Sequence, residues 1–359
     1  MIGIVFVGEL KYCPYIYKYL RVLVEKEEKF EVLFWERESI NRVYPQNYYS
    51  FKMKSSLAKS SILKVFDFIK FSMWLRERIM DKGYDKLIVL STLAGIIIAN
   101  TILKKYKNNY IFDIRDYSYE KYKLFYKVEE KLILNSKFTS ISSEGFKNFL
   151  PQKYDYIMAN NFSYDDLKYK KKFIKKKRGA VINVVWIGVV RYFEHQAEIL
   201  ERLKNDERFN LIYHGSGPDL ERLKLYCKDN QISNVCFTGS YDNNMKADLL
   251  LNADILNNSY GIKNENKVKY AIANKYYDGI IYGIPQLVEI NSFKCEKVEA
   301  LEIGIGIDVS ITNFADELYD YYYNLDDKQF NESCQKELEK ILIEDKVYLD
   351  SIKNFIESK

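Results

Sequence analysis

Histidine and cysteine are scarce in this 359-residue chain. There are two histidines, His195 and His214, and five cysteines, Cys13, Cys227, Cys236, Cys295 and Cys334, scattered singly without a CxxC pair. That distribution argues against a disulfide framework and against a Cys/His zinc site, and it fits a reducing cytosol. Proline (5) and glycine (15) are also few, which excludes collagenous and Pro/Gly low-complexity chains. The longest apolar run, residues 87–99, is interrupted by Ser91 and Thr92, well short of the roughly 20 residues a membrane-spanning helix needs. The first residues, MIGIVFVGEL, carry no basic n-region and include Glu9, so they read as a first core strand rather than a signal peptide. What is abundant is tyrosine (32) and phenylalanine (21), within a 47% hydrophobic and 29% charged composition. A chain of this length and balance buries substantial cores and divides naturally into two domains.

Charge is unevenly spread. Residues 1–179 hold 35 Lys and Arg against 20 Asp and Glu; residues 180–359 hold 20 against 30. The basic first half admits contact with an anionic surface, and an equally good reading is a solvated lysine-rich exterior. No nucleic-acid-binding module is recognisable, so nucleic acid is not an expected partner.

Short apolar runs alternate with helical periodicity. Strands are expected at 2–7, 31–35, 86–90, 110–114 and 138–141, with helices at 15–27, 62–80, 94–105, 120–134 and 144–150. The pattern restarts after the charge run YKKKFIKKKR with strands at 181–187, 209–214, 235–238, 255–258, 286–289 and 303–309, and three helices, 314–323, 327–343 and 346–357, close the chain. The fold class is therefore α/β, two Rossmann-like doubly wound domains with parallel sheets. The expected organisation is a first domain at 1–170, a basic linker at 171–179, a second domain at 180–340, and a terminal helix at 341–359 packing back on the first domain.

In open α/β sheets ligands bind beyond the carboxyl ends of the strands, near helix N-termini. Three exits carry suitable residues. Gly188-Val189-Val190-Arg191 follows one strand, and its arginine can grip a diphosphate bidentately. His214-Gly215-Ser216-Gly217-Pro218 follows the next, with glycines that allow close backbone approach. Asn274-Lys275-Tyr276-Tyr277-Asp278 opens a helix that ends in Gly283-Ile284-Pro285; Asp278 can accept hydrogen bonds from ribose hydroxyls and Lys275 can meet phosphate. Each also has an ordinary structural reading as a turn or a polar helix face. No DxD motif is present, since Asp113-Ile114-Arg115-Asp116 has the wrong spacing; no metal is expected.

In order, VVWIGVVR, LIYHGSGPDLERL, ISNVCFTGSY, LNADILNNSY and ANKYYDGIIYGIPQLVE resemble the nucleotide-binding domain of GT-B glycosyltransferases close to family 4, over roughly residues 181–290. IFDIRDY and MANNFSYDDL resemble pieces of that group's first domain. The resemblance implies two domains facing across a cleft. It implies transfer of a sugar from a UDP- or GDP-linked donor to a hydroxyl of a glycan, free or lipid-linked, in cell-surface polysaccharide synthesis, with retention at the anomeric carbon and without a cofactor or metal. It places Gly188, Arg191, Gly215, Ser216, Gly217, Tyr241, Asn274, Lys275 and Asp278 on the donor. Gly8, Glu9 and Arg115 fall on the acceptor side, with Asp113 or Asp116 as base and Arg191 at the reacting phosphate. The protein is then expected in the cytoplasm or peripheral on the inner face of the cytoplasmic membrane. Two departures stand out. Tyr270 occupies the position, eight residues before Asp278, where the group carries an acid, with Glu265 the nearest acid upstream. The lysine that usually follows the first-turn arginine is also missing, leaving Lys275, Lys263 or Lys267 to support Arg191. A catalytically silent GT-B partner subunit and an epimerase of related fold are the alternatives.

Overall fold

The computed structural model describes residues 1–38, 42–55, 61–261 and 266–358. The chain divides into two compact units, Met1–Asn160 with Ile343–Lys359, and Asn161–Leu342. Each is a parallel sheet with helices on both faces.

The first unit contains β1 (Ile2–Phe6), α1 (Ile16–Glu25), β2 (Phe30–Glu36), β3 (Tyr48–Lys52), α2 (Ser61–Lys82), β4 (Lys86–Leu90), α3 (Thr92–Ile97), α4 (Ala99–Lys105), β5 (Tyr110–Ile114), α5 (Lys123–Asn135), β6 (Phe138–Ile141) and β7 (Tyr156–Met158). The strand order is β3-β2-β1-β4-β5-β6-β7. Strands β1, β4 and β5 are buried along their whole length, which is why, apart from Lys86 and Asp113, they read as apolar runs rather than alternating ones. One face packs Ile4, Phe34, Ile88 and Ile111 against Tyr348, Ile352 and Phe355 from the end of the chain. On α2, Phe71 stacks on the buried Trp35 at 5.2 Å, and Trp74 packs on Phe51 and Phe71. Trp74 is therefore part of this aromatic packing. The exposed apolar residues of α2 are Val65, Phe66, Ile69, Met73 and Met80.

The second unit contains β8 (Ile182–Ile187), α6 (Phe193–Arg202), β9 (Phe209–His214), α7 (Leu220–Asp229), β10 (Val235–Gly239), α8 (Lys246–Leu250), β11 (Ile255–Asn257), α9 (Asn266–Tyr270), α10 (Asn274–Tyr282), β12 (Gln286–Val288), α11 (Phe293–Ala300), β13 (Gly304–Gly306) and α12 (Phe314–Asn324); α13 (Asp327–Glu357) supplies residues to both units. Its sheet order, β10-β9-β8-β11-β12-β13, repeats that of the first six strands of the other unit. The order reverses between β1 and β4 in one sheet and between β8 and β11 in the other, the two topological switch points at which such sheets bind ligands.

Several elements differ from the sequence expectation. The helix expected at 94–105 is two helices broken at Ile98, and the 144–150 helix is a 3-10 turn over Glu144–Asn148. The last two expected helices are one, because no Gly or Pro interrupts residues 327–357 and Glu344 favours the helix at the expected break. Strands β3 and β7 were not anticipated. The basic run is held against the second unit. Phe173 is buried against Tyr322 and Phe330, its backbone N–H donates to Asn331, and Lys176 reaches Asp254. The charge asymmetry accordingly shrinks: the first unit carries 30 basic against 22 acidic residues and the second 25 against 28.

Candidate functional site

At the carboxyl edge of the second unit's sheet, the exits of β8 and β9 are laced together. The Gly188 N–H donates to His214 O (2.9 Å) and the Val190 N–H to Ser216 O (3.0 Å). A Cβ on Gly215 would stand 1.8 Å from Gly188 O, and one on Gly217 2.2 Å from Val190 O. The close approach that requires these glycines is loop on loop. Ser216 and Arg191 are exposed at this edge. Glu194, a candidate partner for Arg191, pairs with Arg222 at 3.2 Å instead. His214 is fixed by Thr238 (2.8 Å), with burial lowering its pKa, and His195 Nε2 lies 2.6 Å from Ser259 Oγ.

Helix α10 starts at the same edge and is buried from Lys275 to Tyr282. Lys275 is 5% exposed. Its Nζ lies 3.2 Å from the centroid of the Trp186 ring and donates to Tyr260 Oη at 3.0 Å. Among the described residues no carboxylate lies within ion-pairing distance of it. Burial drives its pKa well below the usual lysine value, and the charges of Lys294 and Arg191 act in the same direction against a smaller opposing pull from Asp278 and Glu289. Such an ammonium, at the positive end of a helix, lacks a counter-charge that an anion would supply.

One turn on, Asp278 is also buried, and burial raises its pKa against the pull of Lys246. Lys246 Nζ bridges Asp278 Oδ1 (2.8 Å) and Asp166 Oδ2 (2.5 Å), and Tyr282 donates to the second oxygen of Asp166. Tyr241 is half-buried, its hydroxyl pKa raised by burial and by the nearby Asp278 charge. Asn274 is exposed and accepts from Asn161. Lys267 and Tyr270 lie on α9; Lys263 and Glu265 are outside the described residues.

The sequence reading missed Trp186, Lys246, Asp166, Tyr260, Glu289 and Lys294. Glu289 and Lys294 form a fully buried pair at 3.0 Å just past β12, and Glu289 also accepts from the Tyr260 N–H. The only signal was their place just beyond a strand's carboxyl end.

In the first unit, Gly8 follows β1 at φ +146, and the Glu9 carboxylate accepts from the backbone N–H groups of Arg37 and Glu38. Asp113 has no exposed surface. It pairs with Arg115 Nε at 2.7 Å, accepts from Arg115 Nη2 and from Tyr19 Oη, while Arg115 also donates to Ala159 O and Tyr348 Oη. Its partners enclose this carboxylate and, with Arg115, tie α1 and α13 to β5. Asp116 is the exposed acid of that loop. Among the described residues no group of three His, Cys, Asp or Glu side chains is placed to hold a metal ion, and no helix is long and apolar enough to cross a membrane.

No protein-family model matches the sequence, and no curated protein matches it. Solved structures do. Sucrose-phosphate synthase from Thermosynechococcus elongatus superposes with a TM-score of 0.66 at 12% identity, over 93% of this chain and 94% of that one. The lipopolysaccharide outer core galactosyltransferase WaaB matches with a TM-score of 0.64 at 15% identity, over 99% and 98%. HepE from Anabaena, solved with UDP and glucose, matches with a TM-score of 0.61 at 10% identity, over 99% and 97%. The chain therefore has the GT-B fold. At these identities the fold is what is shared, and the reaction has to be argued from the site.

Proposed function

We propose that the protein is a glycosyltransferase whose second unit binds a nucleotide diphosphate sugar, UDP- or GDP-linked. One observation carries this reading: Lys275, buried, with no carboxylate partner among the described residues, on the first turn of α10 and near Arg191. An anion placed there gains the helix N-terminus, an ammonium and a guanidinium together. Asp278 lies three residues along the same helix, within reach of a ribose whose diphosphate sits on Lys275. Tyr241, near Asp278, offers a flat face for a nucleobase.

In the proposed reaction the bond between the sugar's C1 and the diphosphate oxygen breaks, and its electron pair leaves with the nucleotide. The acceptor hydroxyl oxygen bonds to C1, and its proton goes to the departing phosphate. Lys275 and Arg191 stabilise the charge that develops on the leaving group, the kind of electrostatic term that usually dominates such catalysis. The acceptor is a glycan hydroxyl, lipid-linked in cell-surface polysaccharide synthesis, with retention at C1. The apolar stripe of α2, among Lys70, Arg76 and Lys82, supports peripheral contact with an anionic membrane. Tyr270 in the place of an acid favours one second reading, a subunit that binds donor without turning it over.

Titration with UDP, GDP and their sugar derivatives tests this. A ligand at 100 times its Kd should stabilise the protein by about 2.7 kcal/mol, and Lys275→Met should abolish that gain. No stabilisation by any nucleotide would defeat both readings. Binding with no transfer or hydrolysis would leave the non-catalytic one, and product formed in excess EDTA supports side-chain rather than metal stabilisation.

A further inference from the structure

Two buried polar atoms next to Lys275 have no hydrogen-bond partner among the described residues. Glu289 is 3% exposed; its Oε2 is taken by Lys294 and the Tyr260 N–H, but its Oε1 has no hydrogen bond. Trp186 is 1% exposed and its Nε1 has none either. Both belong to one cluster. The Tyr260 ring lies 4.7 Å from Lys275 Nζ and 4.2 Å from Lys294 Nζ, and it meets Trp186 edge to face at 5.3 Å. Glu289 lies near enough for its charge to act on Lys275. Leaving a buried acceptor unsatisfied costs about 1–3 kcal/mol, more if charged. Replacing both members of the Glu289–Lys294 pair by apolar residues would remove that cost, so the pair on its own does not account for the acid.

Position decides what satisfies Glu289. β12 adjoins β11, which adjoins β8 at the switch point, and Glu289 follows the carboxyl end of β12. With the diphosphate on Lys275, the donor's nucleoside extends toward Asp278. The other end of the donor is a pyranose, and its hydroxyl groups are hydrogen-bond donors in need of acceptors.

We infer that Glu289 is the donor-sugar receptor of this site, its Oε1 accepting hydrogen bonds from ring hydroxyls of the transferred sugar. Lys294 holds the other oxygen and keeps the carboxylate aimed. The ligand class is a nucleotide-linked pyranose with free ring hydroxyls, and the inference rests on the donor site proposed above.

The wild-type protein provides the first test, free of folding questions: isothermal titration with UDP, UDP-glucose and the series of monodeoxy UDP-glucoses, repeated with the GDP-mannose set. The intact sugar should tighten binding over the nucleotide alone, and removal of one hydroxyl should return about tenfold of it, the scale of a hydrogen bond to a charged group. In Glu289→Gln the nucleotide alone should bind as before, while the preference for nucleotide sugar over nucleotide falls about tenfold. Nucleotide binding with no gain from the sugar, or a deoxy series flat in the wild type, overturns the assignment and leaves the nucleotide site standing. Loss of nucleotide binding altogether in the wild type overturns the donor site itself. If Glu289→Gln does not fold, Lys294→Met gives the same readout, since the receptor then loses its aim.

Discussion

Glu129 offers a test of the first unit that needs no ligand. It lies on α5 with no exposed surface, and neither carboxyl oxygen has a hydrogen bond. Burial, with the charge of Glu120 second, pushes its pKa from the ordinary 4.5 up to about 8. The folded protein therefore keeps a proton that the unfolded chain releases at its lower pKa. Folded protein binds more protons than unfolded between those two values, so stability must fall as pH rises from about 4.5 to about 8 and level off above. At about 1.4 kcal/mol per unit, the ceiling on the loss is about 5 kcal/mol, and screening and relaxation bring a realistic figure to roughly 3 kcal/mol. In Glu129→Gln the side chain is neutral at every pH. Thermal melts of wild type and variant from pH 5 to 9 should diverge steadily, by an amount on the order of 5–10 °C at pH 9 and little at pH 5. A constant offset would reflect only the burial of the amide. Parallel melting curves across the range would refute the argument that Glu129 is protonated in the folded protein at neutral pH.

Gly217→Ala should destabilise the second unit by more than about 1 kcal/mol, because the new Cβ meets Val190 O at 2.2 Å and backbone must shift; chemical denaturation measures it, and an unchanged midpoint removes the packing argument. Asp113→Asn should cost about 3–5 kcal/mol by stranding the buried Arg115, with any change in turnover accounted for by the loss of folded protein; a folded variant of wild-type stability but no activity would return Asp113 to catalysis. Replacing Phe66 and Met73 together by serine should weaken co-sedimentation with anionic vesicles at low salt, since both are exposed on α2; unchanged binding would leave the lysines as a solvating surface only.

The sheets were legible in the sequence because strands buried on both faces are mostly apolar, as in Ile2–Phe6 and, apart from Lys86 and Asp113, Lys86–Leu90 and Tyr110–Ile114. The edge strands were not. β3 is the half-exposed YYSFK and β7 only three residues, so neither carries an apolar run above its surroundings. The strand exits at Gly188 and Gly215 were legible for the same reason as the strands, since a turn after an apolar run marks an edge. What a one-dimensional pattern leaves out is which charged residues are inside. Lys275 and Asp278 were read as members of a polar helix face or a ligand site alike, and the tilt toward the site comes from their burial. Asp113, chosen for its sequence neighbours, belongs to a set of ties that only the tertiary structure assembles.

The buried charges sort by how well they are partnered. In the first unit, Asp113 with Arg115, Lys18 with Asp345, and Lys86 with the last carbonyls of α13 each have partners on several sides; the first and last fasten the returning end of the chain to the sheet, and Lys18 fastens it to α1. Their geometry is complete without a ligand, so their removal should register in stability. In the second unit, among the described residues, Lys275 has no carboxylate within ion-pairing distance and one oxygen of Glu289 has no hydrogen bond, at the edge where the strand order reverses. A fold that leaves both a buried ammonium and a buried carboxylate oxygen incomplete at one edge is complementary to a ligand carrying an anion at one point and hydroxyl donors beside it. Glu129 is the informative exception, a buried acid without a charged partner whose pKa burial pushes up to about 8. Its neutrality depends only on pH, whereas Lys275 and Glu289 each lack a particular partner. Saturating the protein with a nucleotide sugar should therefore raise the melting temperature of the second unit and leave the pH dependence set by Glu129 unchanged.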